Sequence, residues 1–216
     1  HGKGCKLYDA DGNEYLDFLA GIAVNSLGHA HPALVKAISE QAAKLMHCSN
    51  IYYTDIQAKA VKEIIETTGF DRVFLANSGA EANEGAIKLA RKYGHQKNEG
   101  KYRIITAVHS FHGRTMMTVT ATGQPKYQQG YEPLPAGFDY VPYGDLEALR
   151  EAMDEDVCCV LLEPIQGEGG VHVPSDTYLH EARLLCDKYD ALLVFDEIQT
   201  GVARTGKWFA YMHSGV

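Results

Sequence analysis

The sequence predicts an α/β fold, a mainly parallel sheet flanked by helices. Three observations carry that expectation. From about Asp55 onward, segments of helical period alternate with strand-like ones. The strand-like segments are short apolar runs, too short for typical helices, as buried strands require. Several of these runs end in loops of Gly, Ser, Asp or Glu.

Taken in order, Leu7–Phe18 reads as a hairpin, two β-prone runs around an Asp11-Gly12 turn. Pro32 opens a helix with Leu34, Ile38, Ala42 and Leu45 at helical spacing. Later helices are expected at Ile56–Thr67, Glu81–Tyr93, Leu146–Met153 and Thr177–Tyr189. Strands are expected at Arg72–Ala76, Arg103–Ala107, Phe138–Val141, Val157–Leu162 and Leu192–Asp196. Residues 1–48 form an N-terminal segment of hairpin plus helix, and residues 49–216 the larger domain. No internal repeat or low-complexity tract interrupts the pattern.

The 216 residues are 45% apolar, enough for a substantial core in one domain or in one large domain with an appendage. Twenty basic residues against twenty-eight acidic ones, with no basic cluster, argue against nucleic acid as a partner. No apolar run reaches membrane-spanning length, and no secretory leader opens the chain, so a membrane partner is not expected. Five cysteines, an odd number without a C-x-x-C pair, fit reduced thiols of a cytoplasmic protein. The chain starts without Met and stops at Val216 with no closing element, as a piece of a longer protein is expected to do.

The run Ala191–Phe195 ends in two carboxylates, Asp196 and Glu197. Chemistry in open α/β sheets gathers at the carboxyl ends of strands, so Asp196 stands where a cation is held. It could be the magnesium-binding Asp of a Walker B strand, the partner of a protonated pyridoxal ring nitrogen, or a solvated strand end. Gly201–Trp208 nearly matches the G-x-x-x-x-G-K-[ST] phosphate loop. Trp208, however, replaces the metal-binding hydroxyl, and the segment follows the Asp-Glu pair instead of following a strand and opening a helix.

Other loops bear on the choice. Ser78 with Glu81 reads as a capping box, yet a helix N-terminus behind Gly79 also offers free N–H groups to a phosphate. In Ser110–Thr115, Phe111 could stack on a planar cofactor and Arg114 could grip a carboxylate, although a core Phe and a surface Arg are the commoner cases. Glu163 ends a buried strand, and Glu168 lies in the glycine-rich turn behind it. His29 and His31 invite a metal reading but lack further ligands at suitable spacing, so no metal site is assigned. Tight turns and caps do not explain four such features gathered at one edge of a sheet.

These residues resemble the class-III, fold-type-I aminotransferases that use pyridoxal phosphate. The resemblance rests on Leu16–Pro32, Asn77–Asn83, Ser110–Thr115, Leu161–Gly170 and Phe195–Lys207, and runs along essentially the whole chain. Thr120–Tyr127, with the wording of the first and third motifs, narrows it to the branch acting on ornithine derivatives. It implies cofactor contacts from Ser78, Gly79, Ala80, Phe111, His112, Asp196 and Gln199. Among these, the Gly79 and Ala80 N–H groups meet the phosphate, Phe111 stacks on the ring, Asp196 bonds the ring nitrogen and Gln199 reaches the ring hydroxyl. Arg114 would bind the substrate α-carboxylate, and Glu163 and Glu168 would line the substrate side, with Asp196 and Glu163 as the catalytic groups. The resemblance further implies an amino-acid donor, a 2-oxo-acid acceptor, a homodimer and a place in arginine biosynthesis. N-acetylornithine is the expected donor, with ornithine, succinylornithine and 4-aminobutyrate as alternatives. The lysine that the family couples to its cofactor is expected beyond Val216, and the chain ending there is expected to be inactive.

Overall fold

A computed structural model describes every residue, His1–Val216. The chain forms two compact units, His1–Arg72 and Val73–Val216. This boundary is one of packing, and it lies beyond the motif-based division at residues 48 and 49.

In the first unit, strands β1 (Gly2–Lys3), β2 (Lys6–Tyr8) and β3 (Glu14–Leu16) form an antiparallel sheet in that order. The expected hairpin is β2–β3, with Leu7 opposite Tyr15. Its turn closes on Asp9, whose Oδ1 accepts the N–H groups of Asp11 (3.0 Å) and Asn13 (2.9 Å). Gly12 there takes φ +85°, open only to a residue without Cβ strain. Beyond the sheet the backbone turns left-handed, with φ of 51° at Ala20, 62° at Ile22 and 63° at Ala23. Asp17 holds the start of that turn through Oδ1, which accepts from Leu19 N–H at 3.0 Å and Ala20 N–H at 2.8 Å. Helix α1 (Pro32–Lys44) begins on its proline. Helix α2 (Asp55–Thr68) is capped by the Thr54 side chain and closed by Gly69 in the left-handed region. Neither helix contains a buried residue.

The second unit carries α3 (Gly79–Lys97), β4 (Arg103–Ala107), α4 (Met116–Ala121), α5 (Pro125–Gln128), β5 (Phe138–Val141), α6 (Leu146–Ala152), β6 (Val157–Leu162), α7 (Tyr178–Lys188) and β7 (Leu192–Phe195). A 3₁₀ turn, Ala210–His213, follows. The sheet runs β5-β4-β6-β7 and is parallel throughout. All six residues of β6 are buried, which explains why its sequence shows no alternation. One face packs Ile105, Val160 and Leu162 against Leu149 of α6 and Leu179, Ala182 and Cys186 of α7. The other packs Ile104, Cys159 and Leu161 against Ile87 and Ala90 of α3. Each buried Ile, Leu or Val among them contributes ~1.5–3 kcal/mol.

One expected strand does not form. Arg72–Ala76 has strand composition but makes no ladder, because pairing is what defines a strand and the sheet's outer members are β5 and β7. Its Phe74 is 76% exposed and rests against Gly85 of α3. The last strand stops at Phe195, yet Asp196 N–H still donates to Leu162 O (2.8 Å) and ties the carboxylate-bearing residue to β6. Helix α4 was not expected from its Thr-rich sequence. It starts because Thr115 and Thr118 cap each other's backbone N–H groups reciprocally.

Candidate active site

Every residue of the site lies in the second unit, at the carboxyl ends of β4, β6 and β7 and at the start of α3. Asp196 is its centre. The side chain is buried, and Oδ2 accepts from Asn83 Nδ2 (2.8 Å) and meets His112 Nδ1 (2.9 Å), while Oδ1 accepts from Ile198 N–H (3.1 Å). Burial alone would raise the carboxyl's pKa. The hydrogen bond and charge of His112, with those from Asn83 and Ile198, outweigh it and hold Asp196 below the usual carboxylate value. The result is a buried, ionised carboxylate, the group that favours a proton on a neighbouring ring nitrogen.

Asn83 was missed in the sequence, although it closes the Asn77–Asn83 motif. Besides Asp196, its amide donates to His112 O (2.9 Å), so one side chain ties α3, the His112 loop and the end of β7 together. The available signal was a short amide inside an otherwise ordinary helix, on the face that Ile87 and Ala90 bury. His112 N–H donates to Thr122 Oγ1 (2.9 Å), and its Nε2 is buried with no protein partner.

The start of α3 lies beside this network. Ser78 Oγ accepts Glu81 N–H (3.2 Å) and Ser78 O accepts Ala82 N–H (3.0 Å), leaving the Gly79 and Ala80 N–H groups without a protein acceptor. The capping box is only half formed, since Glu81 Oε2 reaches past Ser78 to the Asn77 N–H (2.7 Å) and side chain (2.8 Å). A Cβ on Gly79 would stand 2.7 Å from Ile198 Cγ1, so glycine is what lets the helix start approach the Asp196 loop. Unsatisfied N–H groups at a helix N-terminus suit a phosphate, and the ionised Asp196 suits a protonated pyridine. The residues present therefore fit pyridoxal phosphate.

Glu163 joins two other loops. Its Oε2 accepts Phe111 N–H (3.1 Å) and its Oε1 accepts Gly167 N–H (3.4 Å). Tyr143 donates its hydroxyl to the carbonyls of Glu163 and Pro164, both at 2.9 Å. Burial pushes the Glu163 carboxyl up to about 7, against the His112 charge and the Phe111 N–H and with a smaller upward push from Asp196. Gln199 Nε2 donates to Glu168 Oε1 (3.1 Å), so these two expected site residues meet directly. Phe111 packs edge-on against Tyr127 with ring centroids 5.4 Å apart. Arg114 is exposed and pairs with no carboxylate of the chain, and its guanidinium carbon lies 5.5 Å from the centre of the same Tyr127 ring.

Glu197, the second carboxylate of the pair, is structural. It accepts the N–H groups of Ala210 (2.9 Å) and Tyr211 (2.8 Å) and the Thr200 hydroxyl (2.5 Å). The Gly201–Trp208 segment is thereby folded into a closed loop with Ala203 N–H on Trp208 O (3.1 Å), and Lys207 Nζ is used on Met212 O (2.7 Å). It opens no α-helix, so the phosphate-loop alternative loses its geometry. In the first unit His29 pairs with Asp17 (2.6 Å), and His31 stands at the N-cap position of α1. No helix is long and apolar enough to cross a membrane.

Fold and site describe an α/β protein whose parallel sheet gathers an anion cradle, an ionised carboxylate and an unpaired arginine at one end. The model of the class-III aminotransferase family matches residues 1–216, and the chain belongs to that pyridoxal-phosphate-dependent family. It is 58% identical over 216 residues to an acetylornithine aminotransferase of Caldanaerobacter subterraneus subsp. tengcongensis, covering 100% of this chain and 55% of that relative. A succinylornithine transaminase/acetylornithine aminotransferase of Pseudomonas aeruginosa is 54% identical, with 100% of this chain and 53% of the relative covered. Among solved structures, an ornithine aminotransferase of Toxoplasma gondii superposes with a TM-score of 0.95 at 40% identity, over 100% of this chain and 52% of that one. That structure records partial occupancy of pyridoxal phosphate at its active site. The chain thus spans about half the length of the relatives it matches.

Proposed function

We propose that the protein to which this chain belongs transfers the amino group of N-acetylornithine to 2-oxoglutarate, as a step of arginine biosynthesis. The observation that carries this reading is the Asp196–His112–Asn83 network lying beside the unsatisfied N-terminus of α3. The names of the Caldanaerobacter and Pseudomonas relatives support the donor. Succinylornithine is the second reading, favoured by the Pseudomonas relative's double name.

Pyridoxal phosphate, when bound, would supply an electron sink that lets the carbon bearing the transferred amino group, the terminal one in N-acetylornithine, lose a proton. The chain's residues bind and tune it. The N–H groups of Gly79 and Ala80, with Ser78, would take the phosphate. Phe111, whose N–H is held by Glu163, would stack on the ring, and His112 orients Asp196. Asp196 would hold a proton on the ring nitrogen, because its charge is buried and already fixed by three donors. Gln199 would reach the ring hydroxyl, and its hydrogen bond to Glu168 would connect that position to the substrate side. Arg114 receives the α-carboxylate, for which its lack of an internal ion pair leaves it available.

Residues 49–216 are assigned to the cofactor-binding large domain and residues 1–48 to a segment of the small one. The compact unit 73–216, which holds every site residue, supports the greater part of that assignment. A homodimer and a cytoplasmic location complete the proposal.

The test is the visible absorption of the full-length protein with pyridoxal phosphate, followed as N-acetylornithine or ornithine is added. Loss of the yellow band much faster with N-acetylornithine supports both chemistry and donor. A band unmoved by either amine redirects the search to another donor, and no band at all overturns the cofactor assignment. In the same protein, Arg114→Ala is expected to raise KM for the amino donor about 100-fold, the loss of a charged carboxylate contact, with cofactor affinity little changed. An unchanged KM removes Arg114 from the carboxylate site.

A further inference from the structure

The segment Gly123–Gln128 has no role in the site as described so far, yet it is among the most firmly tied in the second unit. Gln124 Nε2 donates to His109 O (3.3 Å) and Ser110 O (3.0 Å), the two residues before Phe111. Gln128 Nε2 donates to Thr120 O (3.2 Å) and Thr122 O (2.8 Å) and to the Tyr140 hydroxyl (3.1 Å). Pro125 starts the single turn of α5, and Tyr127 N–H closes it on Gln124 O (3.0 Å). Two glutamines and a proline thus hold Tyr127 in place while its hydroxyl makes no hydrogen bond with the protein. The ring alone is used. Phe111 meets it edge-on, and the guanidinium of Arg114 lies 5.5 Å from its centre, within cation–π range.

An exposed arginine side chain has many rotamers and must be ordered before it can grip a carboxylate in a fixed geometry. A protein carboxylate could order it but would compete with the substrate for the same fork of N–H donors. An aromatic face orders the guanidinium without occupying those donors or neutralising the charge. We propose that Tyr127 is a positioning residue of the site, its ring aligning both Arg114 for the substrate α-carboxylate and Phe111 for the cofactor ring. The proposal rests on the assignments of Arg114 and Phe111 given above. It makes the electron density of the ring, and not its hydroxyl, the property that matters. Lys126 Nζ lies 4.7 Å from the same ring centre, so the site is electrostatically suited to cations.

The experiment uses the full-length holoenzyme with Tyr127→Phe, with mono-, di- and trifluorinated phenylalanines at the same position, and with Tyr127→Leu. Fluorination withdraws density from the ring face at nearly constant shape, so packing and folding are kept while the cation–π attraction is graded away. Expected are a KM for N-acetylornithine within about twofold of the parent for Tyr127→Phe, and a stepwise rise reaching about threefold to tenfold across the fluorinated series and Tyr127→Leu, with kcat much less changed. Cofactor affinity, measured by fluorescence quenching, should fall in Tyr127→Leu, which removes the ring beside Phe111, and stay level across the fluorinated series. A flat KM across that series overturns the proposal even if Tyr127→Leu is damaged or unfolded. If Arg114→Ala raises KM while the series stays flat, only the role of Tyr127 fails. If neither moves KM, the carboxylate assignment of Arg114 fails with it.

Discussion

Asp196 and Glu163 are two buried carboxyls of one site whose proton affinities are pushed in opposite directions by their surroundings. Asp196 has three donors and stays ionised, whereas Glu163 has two backbone donors, lies deep in the protein and is pushed up to about 7. Asp196→Asn in the full-length protein should lower turnover by a hundredfold to a thousandfold, on the order expected for losing one preorganised charge, and leave the cofactor bound. Turnover near the parent's would end the electron-sink role. For Glu163, the folded carboxyl binds its proton more tightly than the unfolded one, so its contribution to stability is complete below the ordinary carboxylate pKa and is lost as pH rises towards 7. Glu163→Gln should therefore flatten the part of the stability–pH curve between about 4.5 and 7, a span worth on the order of 3 kcal/mol, as urea midpoints at a series of pH values would show. A curve with the parent's slope would mean that another group titrates there. At this scale the sequence marks Asp196, Glu163, Phe111 and Arg114 by type and position. It hides Asn83 and Tyr127, because an amide inside a helix and a tyrosine in a short turn have common structural uses, and their second contacts lie 113 and 13 residues away along the chain.

At the scale of elements, α3 shows two local preferences pulling apart. Glycine inside a helix is destabilising by ~1 kcal/mol relative to alanine, which argues for Gly94→Ala as a gain. The helix lies so close to the sheet, however, that a Cβ on Gly94 would stand 2.7 Å from Cys158 Cβ and run into Lys101 O. Overpacking of this kind costs ~1–3 kcal/mol or more, so Gly94→Ala should destabilise by about 2 kcal/mol, read as a lowered urea midpoint at unchanged slope. A stabilised variant would show that α3 can move off β6. At the other end of α3, Ser78→Ala should cost about 1 kcal/mol through loss of the cap and also weaken cofactor binding. Helices and inner strands were legible because burial on one or two faces leaves periodicity in the chain. Arg72–Ala76 was misread for the complementary reason, that composition reports fitness for a strand and says nothing about whether a partner strand is at hand.

In the whole molecule, burial is distributed unevenly. β4 and β6 are almost wholly inaccessible, whereas α1 and α2 of the first unit bury no residue. Amide exchange in the 216-residue chain should accordingly be slowest in Arg103–Ala107 and Val157–Leu162 and fastest among the helices in Pro32–Lys44 and Asp55–Thr68. Equal protection in both units would show cooperative closure of the whole chain. The sequence by itself determined the α/β class and the parallel sheet, because these depend on local composition and period, and its motif loops carried the resemblance to the family. Only the tertiary structure decided which loops meet: that Asn83 reaches Asp196, that Glu163 accepts the Phe111 N–H, that Glu197 folds a loop instead of holding a cation, and that the Tyr127 ring meets both Phe111 and Arg114. The physical reason is that a hydrogen bond or ring contact between distant residues leaves no periodic trace in either segment, so it exists only once the sheet has set the strand ends side by side.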